Sequence, residues 1–141
     1  MNTQTSNLNK EHLKKWYKET KKWAKEFDFY IDELRELKRR VNSKKVKDHI
    51  EVQVQKNIAL ITNTTQDRLM KNLSDNLEKH RVHLSQLLAT GNTVELQIYR
   101  EENKSLIQEI RRVKRKIKSL KKRISDFLSS DSQMQRHGFS Y

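Results

Sequence analysis

The chain has 141 residues, 31 Lys and Arg against 18 Asp and Glu, and a formal net charge of +13. It has no Cys, no Pro and only two Gly, so a disulfide framework, a thiolate nucleophile and a sheet with many tight turns are excluded. One domain fits this length. Residues 1–47 carry 14 basic and 7 acidic side chains, residues 48–92 carry five of each, and residues 93–141 carry 12 and 6. A neutral middle third between two basic thirds predicts three elements.

Residues 1–9 are polar and lack the basic start and apolar run of a secretion signal; they read as a disordered N-terminus. The first helix is expected over about 10–42, with Asn9 as N-cap and Leu8 stapled to Leu13. Leu13, Trp16, Thr20, Trp23, Phe27, Tyr30, Leu34, Leu37 and Val41 alternate at three and four, which is a heptad seam. The seam loses phase after Val41, so a turn is expected at Asn42-Ser43, against the alternative of one long rod.

The second helix is expected over about 45–89. Its apolar positions, Ile50, Val54, Ile58, Ile61, Thr65, Leu69, Leu73, Leu77, His80, Leu84 and Leu87, lean toward steps of four and drift from a strict heptad. Thr62-Asn63-Thr64-Thr65 is poor helix material and marks a place for a kink or break, although nothing there forces a stop. Gly91 then reads as a helix-ending glycine, and Asn92 with Glu95 as a capping box. The third helix, about 93–128, has its seam at Leu96, Tyr99, Asn103, Leu106, Ile110, Val113, Ile117, Leu120, Ile124 and Phe127. Residues 129–141 read as a disordered tail.

These elements predict an all-α fold, a long antiparallel three-helix bundle with coiled-coil-like packing. Helices one and three then run parallel, with Glu26 facing Lys114 and Glu33 facing Lys121. Asn103 and Thr20 fall at matching levels and predict a polar layer.

The run Trp23-Ala24-Lys25-Glu26-Phe27-Asp28-Phe29-Tyr30-Ile31-Asp32-Glu33-Leu34, with Ile50-Glu51, Gln55, Asn57 and Asp67-Arg68-Leu69, resembles a set of small helical proteins of Bacteroidota bacteria. The resemblance covers roughly residues 12–80 and leaves out the basic third helix. It implies a bacterial cytoplasmic helical protein and no activity.

The strongest functional signal is residues 111–123, with nine basic side chains and no acid. Arg111, Arg112, Lys114, Arg115, Lys118, Lys121, Lys122 and Arg123 surround a preserved seam. In a parallel pairing they share one end with Arg39, Arg40, Lys44 and Lys45. A pole of this kind repels itself, and a polyanion relieves the repulsion by releasing counterions. The expected function is a non-enzymatic interaction protein whose basic pole docks on an acidic partner: nucleic acid, a ribonucleoprotein or an acidic protein. The alternatives are a self-associating structural coiled coil, in which the charge only solubilises, and an anionic membrane-surface binder, which requires an exposed apolar seam.

Nothing points to catalysis or to a cofactor. His80 and His83 lie one turn apart near Glu78, but no third ligand converges, so no metal is expected, and His80 reads as bonding a polar neighbour or capping the core edge. Trp16, Trp23, Phe27 and Tyr30 take seam positions and read as core, whereas Tyr17 and Phe29 lie off the seam. No apolar run approaches the roughly 20 residues of a membrane span, and a cytoplasmic location is the default.

Overall fold

The computed structural model describes the backbone of residues 3–91 and 96–138 and the side chains of residues 10–91 and 96–130. Helices α1 (Thr3–Ser43), α2 (His49–Thr64), α3 (Lys71–Thr90) and α4 (Leu96–Gly138) make up nearly all of it. A π-helical turn, Thr65–Met70, joins α2 to α3. Both junctions keep right-handed dihedrals, with φ −62° and ψ −46° at Thr65 and φ −64° and ψ −47° at Lys71. The segment His49–Thr90 is therefore one rod, and the fold is all-α, with no strand among the described residues.

Two expected ends move outward. Helix α1 starts at Thr3, so Asn9 lies inside it and is not the N-cap, and residues 3–9 are helical. Helix α4 continues past 128 to Gly138, through most of the segment read as a tail. No Gly or Pro interrupts either stretch before Gly138, and extending a helix costs far less than nucleating one. Gly91 ends α3 as expected: its φ of +67° is left-handed, and its N–H donates to the Leu87 carbonyl at 2.9 Å. The Asn92–Glu95 capping box lies outside the described residues.

Helices α1 and α4 bury matched sevens. In α1 these are Leu13, Thr20, Phe27, Leu34 and Val41; in α4 they are Leu96, Asn103, Ile110, Ile117 and Ile124. Glu26 meets Lys114 at 2.8 Å and Glu33 meets Lys121 at 2.5 Å, so residue numbers rise together along this pair. Between α3 and α4 they run oppositely, with Asn76 bonded to Glu109 and His80 to Glu102. One apolar cluster joins Phe27, Leu34 and Val41 to Met70, Leu73, Leu77 and the α4 seam from Leu106 to Phe127. A second joins Leu13, Leu84, Leu87 and Leu96.

The middle rod corrects its expected seam. The buried residues are Ile58, Thr62, Thr65, Met70, Leu73, Leu77, His80, Leu84 and Leu87. Their steps alternate three and four except for one step of five, from Thr65 to Met70, which is the π turn. The drift read from the sequence is thus concentrated in one place. It exchanges Ile61 for Thr62 and Leu69 for Met70 on the buried face. Nothing breaks at Thr62–Thr65. Thr62, Thr64 and Thr65 donate their hydroxyls to the carbonyls of Ile58, Leu60 and Ile61, which satisfies them without leaving the helix.

The turn between α1 and α2 spans residues 44–48, slightly beyond Asn42-Ser43, and uses neither Gly nor Pro. Asp48 caps α2 by accepting from the Glu51 N–H at 2.8 Å, and Glu51 accepts from the Lys47 N–H at 3.1 Å. Gln55 closes the end of α1 by donating to the carbonyls of Val41 at 2.7 Å and Lys44 at 3.1 Å. The Lys44 ammonium is almost buried. It donates to the Phe127 carbonyl and to Ser130 Oγ at 2.6 Å, lies 3.5 Å from Glu51, and sits 4.3 Å from the centre of the Phe127 ring.

Candidate nucleic-acid interface

The heptad seam of α4 determines where its basic residues point. With Ile110, Val113, Ile117, Leu120 and Ile124 buried, the helical period sends Arg111, Arg115, Lys118 and Lys122 to the opposite side. These four are exposed and spaced at four, three and four, so they form a row about 16 Å long at 1.5 Å per residue. None has an ion-pair partner among the described residues. Arg112, Lys116 and Arg123 are likewise exposed and unpaired but lie on the flank toward the middle rod, where Lys116 and Arg123 line its groove with α4. Lys45 is exposed at the α1–α2 turn and also has no ion-pair partner among the described residues.

The other candidates are engaged within the protein. Lys114 and Lys121 tie α4 to α1 through Glu26 and Glu33. The Lys114 ammonium holds the Glu26 carboxyl below its ordinary range, against partial desolvation, with a further contribution from the Tyr30 hydroxyl. Burial and the Glu26 carboxylate in turn push the Tyr30 phenol up. Lys44 belongs to the α1–α2 turn and has no surface to offer a ligand. Arg39 binds Glu36 through two hydrogen bonds, at 3.0 and 2.7 Å, and Arg40 lies 3.4 Å from the same carboxylate. That pairing lowers the Glu36 carboxyl and raises the Arg39 guanidinium. Arg35 reaches Asp32 at 3.5 Å.

The basic pole expected from sequence therefore divides. The α1 end is largely neutralised by its own acids, and the available charge is concentrated on α4. Exposed intrahelical pairs such as Arg39–Glu36 are screened by solvent and hold weakly, so a polyanion can still compete for them. The α4 row needs no such exchange.

The polar layer forms with a different partner from the one expected. Thr20 donates to its own helix, to the Trp16 carbonyl at 2.7 Å. Asn103 instead faces His80, whose ring nitrogens lie 2.8 Å from Glu102 Oε1 and 3.1 Å from Asn103 Oδ1. His83 lies 3.4 Å from the same Glu102 carboxylate and stacks edge-on against Tyr99. Among the described residues no group of three or more side chains is placed to hold a metal ion. Off the seam, Phe29 is exposed, whereas Tyr17 is half-buried; the Arg81 guanidinium is raised by its pairing with Glu78, with a smaller contribution from Tyr17.

Sequence reasoning missed one surface. Ile50 and Val54 were placed on the seam but stand out toward solvent, together with Leu60. At this level Glu51 and Gln55 face α1 and the turn, which rotates Ile50 and Val54 toward the groove beside α4. The run Ile58-Ala59-Leu60-Ile61 carried the signal, since four consecutive apolar residues exceed what one helical face can bury. Among the described residues no helix is long and apolar enough to cross a membrane. Compared with known proteins, the chain matches no protein-family model, no curated protein and no solved structure.

Proposed function

We propose that this chain is a non-enzymatic interaction protein, an antiparallel three-helix bundle with coiled-coil-like packing that holds a nucleic-acid backbone along the outer row of α4. The single observation that carries the reading is the row itself: Arg111, Arg115, Lys118 and Lys122 are exposed, aligned and without an ion-pair partner among the described residues. Successive members are about 4.5–6 Å apart along the helix axis, a spacing that lets neighbouring side chains reach successive phosphates. Arg112, Lys45 and the loosely held Arg39 and Arg40 extend the field. Phosphate contact of this kind positions a duplex or single strand without reading its bases. In this reading the protein works in the cytoplasm, where nucleic acid is abundant, and uses no cofactor.

Binding of labelled DNA and RNA duplexes, measured by anisotropy over a range of salt concentrations, tests the reading. Four neutralised phosphates give a log–log salt slope of about −3.6 on B-form DNA. Replacing Arg111, Arg115, Lys118 and Lys122 by Gln should flatten the slope by about that amount. Absence of binding at low salt, or a slope unchanged in the quadruple variant, refutes the assignment.

A further inference from the structure

The flank of α4 turned away from α1 presents a different surface. Two recesses lie end to end between α4 and the middle rod, and Arg123 lines both. The first, about 530 Å³, is bounded by Ile50, Val54 and Ile58 opposite Phe127. The second, about 410 Å³, is bounded by Leu60, Ile61 and Leu69 opposite Leu120 and lies against the π turn. Together they form one apolar groove whose walls are left open. Ile50 is 76% exposed, Leu60 64% and Val54 41%.

We infer that this groove docks an acidic amphipathic helix of another protein, which lies along α2 and α4 as a further helix. Shape selects a helix. The open stretch from Ile50 to Thr64 is about 21 Å long, four helical turns, and its lining steps at helical spacing. The walls are helices whose backbone groups are already bonded along their length, so they offer no edge on which a strand can pair.

Charge selects an acidic occupant. The α4 rim carries Lys116 and Arg123, neither of them ion-paired among the described residues, and no acid is among the residues that line the recess against the π turn with them. The facing stretch of α2, residues 52–64, contains no acid. Among the described residues the acids of the groove, Asp48, Glu51 and Asp126, all line the near recess, where Glu51 lies against Lys44 and Asp48 caps α2, so the cationic pull acts at the end beside the π turn. A second copy of this chain, at net charge +13, would set the same cationic rim against itself. Phosphates cannot cover Ile50 or Leu60.

The test uses the full chain and a labelled synthetic helix of about three heptads, with Leu at its seam and Glu flanking it. Anisotropy should show saturable binding, weakened about tenfold or more when Lys replaces Glu in the peptide. Ile50→Gln with Leu60→Gln should lose binding by about tenfold while far-UV circular dichroism and Tm stay unchanged, because both side chains are exposed. Lys116→Gln with Arg123→Gln should reduce the salt dependence. Retained affinity in the Ile50/Leu60 variant overturns the proposal. So does loss of peptide binding in the outer-row variant alone, which would put the peptide on the phosphate-facing side. It is overturned equally by a dimer in light scattering that the Ile50/Leu60 variant dissolves, or by capture on anionic phosphatidylserine vesicles that outcompetes the peptide.

Discussion

Deleting Asp67 should leave the fold almost untouched, whereas deleting Lys79 from the same rod should unfold much of it. Asp67 is exposed within the π turn, and Lys79 is exposed between Leu77 and His80. Removing one residue from the π turn shortens the Thr65-to-Met70 step from five to four. The buried positions of the whole rod then alternate four and three without interruption, the period of a supercoiled helix. Every buried side chain keeps its face, and the change should be below about 1 kcal/mol, since the local loss is confined to contacts such as Gln66 with the Ile31 carbonyl. Removing Lys79 instead rotates everything downstream by about 100°. Leu84 and Leu87 then leave the core, at about 1.5–3 kcal/mol each, and His80 leaves Glu102 and Asn103, at about 1–3 kcal/mol. A combined loss near 6 kcal/mol is comparable with the whole stability of an ordinary domain. Urea unfolding followed by far-UV circular dichroism measures both. If the Asp67 deletion proves as damaging as the Lys79 deletion, the π turn does not set the phase between α2 and α3.

Lys44→Met should destabilise by about 3 kcal/mol, because it strands Glu51 in a nearly buried site; adding Glu51→Gln should recover part of that loss, as a double-mutant cycle in urea would show. His80→Leu should cost about 1–3 kcal/mol by leaving Asn103 without its buried partner, and His80→Leu with Asn103→Leu should cost less than the sum of the single changes. The Glu26 carboxyl is held low by Lys114, so the stability it confers is present above the ordinary carboxylate range and is lost as pH falls through the lowered folded value. Glu26→Gln should accordingly flatten the acid limb of a stability–pH profile; an unchanged limb would show that the pair contributes nothing to it.

The pairing of α1 with α4 was legible in the sequence because both helices keep a strict seven-residue repeat. That repeat fixes the flanking positions, and Glu26–Lys114 and Glu33–Lys121 follow from it directly. The middle rod was less legible. An average step near four is compatible with gradual drift or with one abrupt π turn, and sequence gives only the average. This is why Thr62 and Met70 take the places expected for Ile61 and Leu69, and why Ile50 and Val54 face out. The Asp48-x-x-Glu51 signature at the start of α2 was readable and went unread. The basic residues of α4 were visible as composition. That Lys44 is occupied by Phe127 and Ser130 was not, since no local rule connects positions 83 and 86 residues apart.

A strict seven-residue repeat in two neighbouring helices carries a hazard of its own: sliding one past the other by a full repeat, about 10 Å, leaves leucines against isoleucines and looks nearly as good. The His80–Glu102–Asn103 group removes that degeneracy. It lies between the two apolar clusters, and α4 holds only one Asn-bearing level to meet His80. After a slide of seven residues along α4, Glu95 or Glu109 would take the level of Glu102, but the other ring nitrogen would face Leu96 or Ile110 in place of Asn103, and a buried polar atom left without its partner costs about 1–3 kcal/mol. Buried Asn103 would lose its partner as well. The layer thus works as a key in a shaft: the His80–Asn103 bond contributes modest stability in the native alignment and an energy gap against the neighbouring ones. Because α4 meets the rest of the molecule at a single permitted setting, its outer cationic row and its groove beside α2 keep a fixed angle to each other, and two ligands bound there would be held in a defined geometry.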